Sequence, residues 1–249
     1  MPVKVFQDPN LNKLNKDIWS TVYLEGEPLI FGDANEKKYA RWLTSNIVLE
    51  GEALDAINRG EMPKGWEFKG SMVKAYREQF NNKAMWAGFV YTYAERLLEF
   101  EIPNPKYPKS IISMLGYLLR HFKIPPLTIR INQLEHMREQ LKEAFRTGIQ
   151  STRIIATTFQ QWNDWGESDI PCLLAVQLVP LPGNQVEAHY LFRSHDLGNG
   201  YGANLHMLDT AMIEHVIRPA GGLLKRVVCT SWVAHLYEND MSMIEKVVL

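Results

Sequence analysis

A change of hydrophobic rhythm near residue 148 sets what this chain can fold into. Between Lys69 and Phe100 the apolar residues Met72, Val73, Tyr76, Phe80, Met85, Phe89, Val90, Tyr93, Leu97 and Leu98 recur at threes and fours, which predicts helix. Pro103, Pro105 and Pro108 interrupt that pattern. Pro108 sits like a first-turn proline before a helical run of Ile111, Ile112, Met114, Leu115, Leu118 and Leu119, and Pro125-Pro126 ends it. A further helix opens at Ile131-Asn132-Gln133-Leu134 and keeps Leu134, Met137, Leu141 and Phe145 on one face until Gly148. Beyond it, Ser151 to Gln160, Leu173 to Leu181 and Val186 to Phe192 are rich in β-branched residues and read as strands. Pro182-Gly183-Asn184 is the predicted hairpin turn between the last two. Asn204 to Val216 returns to helical spacing, Leu224 to Cys229 reads as a strand, and a helix closes the chain.

The first 65 or so residues mix short apolar runs with turn signals, as in Glu27-Pro28-Leu29-Ile30-Phe31-Gly32-Asp33-Ala34-Asn35, followed by a polar helical segment near Glu36 to Leu43. No internal repeat, low-complexity tract or linker divides the chain. The expected fold is a single α+β domain over residues 1–249, a mixed or antiparallel sheet covered by helices. With 249 residues, 46% of them hydrophobic, there is material for a sizeable core.

The charge balance narrows the partners. Twenty-seven basic and 28 acidic residues leave a formal net charge of −1, so no global field gathers nucleic acid or an anionic membrane. Any bound anion must be gripped locally. No apolar run approaches the roughly 18 residues of a membrane span, and the amino-terminal residues lack a signal-like apolar core; the expected compartment is cytoplasmic. Only Cys172 and Cys229 occur, neither in a CxxC or Cys/His cluster, so neither a disulfide framework nor a metal site is expected.

Chemistry concentrates in the second half. Asp169-Ile170-Pro171-Cys172 places a thiol after a proline-bearing turn, Arg193-Ser194-His195-Asp196 combines a guanidinium with a hydroxyl, and Asn204 and His235-Leu236-Tyr237 follow. Guanidinium and hydroxyl suit a phosphate, an amide suits the edge of a base, and a thiol suits a nucleophile. Each has a plainer reading as well. A cysteine at a strand start packs as a small hydrophobe, Asn204 can cap a helix beginning at Leu205, and Arg153 reads as a solvated strand residue.

The joint spacing resembles the thymidylate synthase and pyrimidine hydroxymethylase family. There a Pro-Cys is followed five residues later by Gln, then by Arg-Ser-x-Asp, Gly, Asn and His-x-Tyr; here these are Pro171-Cys172, Gln177, Arg193-Ser194-His195-Asp196, Gly200, Asn204 and His235-x-Tyr237. Ser151-Thr152-Arg153-Ile154-Ile155 is similar to the family's Ser-Arg-Arg-Ile-Ile, so the likeness spans about residues 150 to 240. Glu27 to Gly32 resembles phage deoxycytidylate hydroxymethylases, whereas Tyr91-Thr92-Tyr93 and Pro171-Cys172-Leu173 resemble short archaeal synthases. Departures are Thr152 for the first of two arginines, Leu173 for a histidine, and Gly202-Ala203 for Pro-Phe, which is expected to loosen the wall near the base. The chain also reads as lacking the carboxy-terminal segment that closes over folate in bacterial synthases.

The resemblance implies a role for each matched residue. Cys172 would add to C6 of a pyrimidine, with Arg193 favouring the thiolate, and Asn204 would read O4 and N3–H of a uracil where the cytidylate enzymes carry aspartate. Asp196 and Gln177 would hold the pyrimidine edge and water, and His235 with Tyr237 would meet the ribose hydroxyl. Arg193, Ser194 and Arg153 would grip the phosphate of a nucleoside monophosphate, Arg153 crossing from the partner subunit of a homodimer. The implied donor is 5,10-methylenetetrahydrofolate or a related tetrahydropterin, and the product thymidylate or 5-hydroxymethyl-dUMP. A dCMP or CMP hydroxymethylase and a non-catalytic nucleotide-binding member are the alternatives. Glu50, Glu52, Glu67 and Glu78 are candidates for an assisting carboxylate, and Trp86, Trp162 and Trp165 for stacking on a pterin.

Overall fold

The structure, a computed structural model, describes residues 3–32, 37–66, 70–104, 128–167, 169–241 and 245. The expected helical run over Ile111–Leu119 and the candidate Glu67 lie outside these residues. An eight-stranded mixed sheet forms the centre, ordered β1 (Lys4–Gln7), β3 (Lys37–Leu49), β10 (Leu223–Tyr237), β8 (Gln185–Phe192), β7 (Leu173–Leu181) and β6 (Ile154–Thr157). Strand β2 (Glu27–Gly32) pairs with β3, and the two-residue β9 (His195–Asp196) pairs with β10. A separate antiparallel pair joins β4 (Phe100–Pro103) to β5 (Thr128–Ile131). With helices packed on this sheet the fold is α+β, as the patterning implies.

The second half follows its sequence closely. Strand β7 covers the expected Leu173–Leu181, and β8 pairs with it antiparallel across the turn at Pro182–Asn184. Gly183 and Asn184 take φ of 72° and 55° there, a left-handed backbone that glycine and asparagine tolerate best. Helix α5 (Gln133–Thr147) starts at the Asn132 cap, whose side chain accepts from the Glu135 amide, and stops at left-handed Gly148. Leu134, Met137 and Leu141 are its buried stripe.

The first half departs in three places. Of the segment read as helix near Glu36–Leu43, the described residues 37–43 open strand β3, paired with β2 on one edge and β10 on the other, and from Leu43 on, Ser45, Ile47 and Leu49 bury alternately. Pairing on both edges overrides local propensity there. Helix α1 (Leu11–Glu25) went unread, although Leu11, Leu14, Ile18 and Val22 form a buried stripe and Asn10 caps it. Helix α2 (Glu52–Asn58) follows β3. The long helix expected over 69–100 is α3 (Gly70–Asn81), a 3-10 turn at Lys83–Trp86 and α4 (Tyr93–Leu98). Gly88, at φ 88°, breaks the run, and the Thr92 side chain restarts it by accepting from the Glu95 amide.

Helix α6 (Tyr201–Met212) is buried on nearly every side and continues into a π-helical turn, Ile213–Ile217. It carries a carboxyl group into the core: Asp209 is 0% exposed, and the Tyr190 hydroxyl donates to its Oδ1 at 2.6 Å. Burial pushes this carboxyl up to about 7, with the Tyr190 hydrogen bond opposing the shift. A raised carboxyl favours the folded state while it stays protonated. That contribution is complete below the ordinary value of 3.8 and is lost as pH rises through about 7. The thermal midpoint of Asp209→Asn minus that of the wild type should therefore rise between about pH 4 and pH 7 and flatten above. A difference that stays constant with pH would show that Asp209 is not protonated in the core.

Candidate functional site

Cys172 precedes β7, half-buried, beside a cavity of about 300 Å³. Its walls come from three sources. Tyr76 and Gln79 of α3 and the Phe89–Tyr93 stretch after the Gly88 break form one side; Asp169 and Cys172 form the second; Ser194, His195, Asp196, Asn204 and Met207 form the third. The long helix expected over 69–100 breaks where it becomes a wall. Cys229, by contrast, is 0% exposed, and burial pushes its thiol up to about 12, so it is an inert packing group.

Arg193 joins the second and third sources. Its guanidinium donates from Nη2 to the Ile170 carbonyl at 2.7 Å and from Nε to the Pro171 carbonyl at 3.0 Å. Its backbone amide donates to the Cys172 carbonyl at 2.8 Å. The guanidinium thus stitches the cysteine turn to the loop after β8, leaving Nη1 for other partners. Burial raises the Cys172 thiol above the ordinary cysteine value; Arg193 opposes this, while Asp169 and Asp196 reinforce it. The expectation that Arg193 favours the thiolate holds in direction, but burial outweighs it.

Asp196 and Asn204 are placed by close packing. The Asp196 Oδ1 accepts from the amides of Gly198 and Asn199 at 2.9 and 3.0 Å, tying the turn that leads into α6. Gly200 caps that helix without a side-chain bond, so Asn204 lies in its first turns and is not its cap. A Cβ on Gly200 would stand 3.1 Å from the Asn204 amide nitrogen and 3.1 Å from the Asp196 carbonyl oxygen. Gly200 is therefore a spacer between two cavity residues. The wall expected to be loosened at Gly202-Ala203 is closed: both are buried, and a Cβ on Gly202 would come within 2.9 Å of the Trp66 ring, itself 0% exposed.

The remaining matched residues lie apart from the lining. The His235 Nδ1 is 3.5 Å from Ser194 Oγ, one contact from the cavity, and Phe31 of β2 covers His235 and Tyr237 at 4.6 and 5.6 Å between ring centroids. Gln177 is on the other sheet face, donating to the Thr152 carbonyl at 2.7 Å, and Arg153 is exposed beside β6 at the sheet edge. Glu50 meets Gln7 and Arg226, Glu52 lies against a different cavity at the start of α2, and Glu78 is on α3 facing a third. Among the described lining residues the carboxylates are Asp169 and Asp196, and there is no lysine or arginine. Trp86 is half-buried on Gln79 and Trp165 is 78% exposed, neither lining the cavity.

The sequence reading missed the aromatic wall and its anchor. Tyr91 donates to the Ile170 carbonyl at 3.2 Å, and the Tyr93 hydroxyl accepts from the Leu173 amide at 3.3 Å, so both tyrosines hold the strand entrance that carries Cys172. Burial raises both phenols above their ordinary value, keeping them protonated. Arg96 sits behind, 7% exposed, paired with Asp164 at 2.6 Å and over the Tyr91 ring at 5.6 Å. Removing one partner of such a buried pair costs about 3–5 kcal/mol. An arginine on the buried stripe of an amphipathic helix was the signal available.

One cavity thus gathers a thiol, two carboxylates and several hydroxyl and amide groups. No family model matches the chain. Among curated proteins, a "Putative thymidylate synthase" of Methanosarcina acetivorans is 31% identical over 219 residues, 88% of this chain and 83% of that one. Proteins with the same description from Methanopyrus kandleri and Methanococcoides burtonii are 28% and 29% identical over 183 and 188 residues, 73% and 76% of this chain and 70% and 71% of theirs. The chain belongs to the thymidylate synthase-like family.

Because the Arg193 guanidinium stabilises the Cys172 thiolate, its loss should move the thiol further up. Alkylation of Cys172 by iodoacetamide should show a pH midpoint above that of a free thiol, and Arg193→Gln should raise the midpoint again. A midpoint that falls or stays put in the variant would remove the guanidinium from the site's electrostatics.

Proposed function

We propose that the protein transfers a one-carbon unit to C5 of a pyrimidine nucleoside monophosphate, deoxyuridylate above cytidylate, within one domain. The observation that carries this reading is the cavity that brings Cys172, Ser194, Asp196 and Asn204 together, residues spread over 33 positions. The Cys172 sulfur adds to C6 of the ring, its proton leaving to a base in the cavity, for which Asp169 and Asp196 are the lining carboxylates. Addition turns C4–C5 into an enolate. Asn204 donates its amide N–H to the charge growing on O4 and accepts from N3–H, the pattern of uracil.

The phosphate needs cations that the described lining lacks. Arg193 offers Nη1 and Ser194 its hydroxyl, and Arg153 of a partner subunit supplies further charge in a homodimer. The sheet face that carries Gln177 supports such pairing, since Val5, Ile155 and Trp232 are 65%, 47% and 51% exposed. His235 and Tyr237 meet the ribose from behind Ser194, and Gln177 takes its part through that subunit contact. The residues at the cavity mouth fit a flat tetrahydropterin: Phe89 and Val90 line it while 60% and 72% exposed. When bound, 5,10-methylenetetrahydrofolate or a related pterin supplies a one-carbon unit at the oxidation level of formaldehyde, and a hydride where the product is methyl. Water access then decides between thymidylate and the hydroxymethyl nucleotide. A catalyst of this kind works in the cytoplasm on free nucleotides.

Tritium release from 5-tritiated deoxyuridylate with methylenetetrahydrofolate tests the reading: the wild type should labilise the label, and Cys172→Ser should reduce release to background while retaining nucleotide binding. Binding without release by the wild type would instead identify a non-catalytic member, and product mass separates methyl from hydroxymethyl. In the Asn204→Asp variant the cytosine-to-uracil ratio of kcat/KM should rise by about tenfold or more, the scale of one exchanged hydrogen-bonding pair. An unmoved ratio would take base reading away from Asn204.

A further inference from the structure

Strand β10 carries one more residue than its neighbour β3 at one point: Ser231 faces Ser45, but Ala234 faces Leu43. A bulge of this kind reverses which face each later side chain takes. Before it Val227, Cys229 and Ser231 are buried on the core side; after it Ala234 and Leu236 are. His235 and Tyr237 consequently turn to the opposite face, onto Phe31. On the other edge the ladder breaks at the same level, since Phe192 pairs with Ser231 and pairing resumes at His195 with Ala234. Arg193 and Ser194 lie in that break, which frees one to grip the cysteine turn and the other to face the cavity.

The two edges of the bulge are held differently. Toward β3, the Thr44 hydroxyl donates to the Trp232 carbonyl at 2.9 Å. Toward β8 and β9, the gap is spanned by side chains: His195 Nδ1 and Ser231 Oγ are 3.2 Å apart, both residues buried. The imidazole stacks on Phe192 at 4.0 Å with 4° between planes and meets Tyr201 edge-on at 6.1 Å. A phenyl ring would satisfy that stacking. It would leave the hydroxyl of Ser231, which is 0% exposed, with only the Cys229 sulfur at 3.9 Å, a weaker partner than the ring nitrogen. Burial pushes His195 down to about 3, so the ring is neutral at ordinary pH and Nδ1 can accept from Ser231.

We propose that His195 is a positioning residue: with Ser231 it clamps the bulge of β10, and so sets where Ser194 and Asp196 stand at the cavity and where His235 stands behind them. The inference rests on the pyrimidine-nucleotide reading for what those three residues contact. It gives a function to the residue between Ser194 and Asp196. Ser194 and Asp196 flank the pivot in the chain and line the cavity, and His235 is opposite Asp196 in the ladder.

Two measurements on the same variants test the clamp. In amide hydrogen exchange, His195→Phe and Ser231→Ala should each speed exchange in residues 193–196 and 231–237 by about fivefold, the equivalent of one hydrogen bond, and leave the Leu173–Phe192 hairpin unchanged. In titration calorimetry with deoxyuridylate, both should raise Kd by about fivefold or more, the double variant should add little beyond either single one, and His195→Asn should recover part of the loss. Exchange unchanged in those segments overturns the clamp, whether or not nucleotide binds. Faster exchange with an unchanged Kd overturns the positioning role and leaves a purely structural one. Should His195→Phe fail to fold, Ser231→Ala decides alone. A wild type that binds no deoxyuridylate refutes the nucleotide reading instead, while the exchange result still judges the clamp.

Discussion

The site depends on one arginine spending its hydrogen bonds on the protein's own backbone. Arg193 spans from the loop after β8 to the carbonyls of Ile170 and Pro171, and its amide reaches the Cys172 carbonyl. A charged donor to two carbonyls is stronger than a neutral one and directional, so the cysteine turn and the loop behave as one piece. Its charge also reaches the sulfur without overcoming burial. A thiol held protonated by burial is also less open to oxidation than a free thiolate.

Behind that piece lies a second anchor. The Arg96–Asp164 pair is almost fully buried, and Gln133 bonds the carbonyl of Arg96 as well as that of Thr157. It ties α4, the turn at Gln161–Asp164, α5 and β6 together, and through Tyr91 it backs the cavity wall. The wall is therefore backed by a buried ion pair at its base and apolar and exposed at Phe89 and Val90.

Legibility in the sequence differed by element for physical reasons. Strands β7 and β8 were readable because alternating burial and a Pro-Gly-Asn turn are local signals, and α5 was readable because its cap, stripe and terminal glycine all lie within it. Strand β3 was not, since Lys37–Leu43 becomes a strand through partners at both edges, Glu27–Gly32 on one side and Ala234–Tyr237 on the other. For the candidate site, Cys172, Ser194, Asp196 and Asn204 were named from spacing and share a cavity, whereas Tyr76, Gln79 and the 89–93 stretch were hidden inside what looked like one helix. Gln177 and Arg153 were named too, and the chain alone places both outside that cavity.

By itself the sequence determined which chemistry is available: one thiol after a proline turn, a guanidinium, a carboxylate and an amide, in an order that resembles the family's, together with the regular elements whose signals are local. The tertiary structure decided which thiol is accessible, that Asn204 faces the cavity instead of capping α6, and that Trp66 fills the room left at Gly202. It also decided the face on which His235 and Tyr237 emerge, because one extra residue in β10 is defined only against its neighbours. Register, burial and field are relations between distant segments, and no window along the chain contains both members of such a relation.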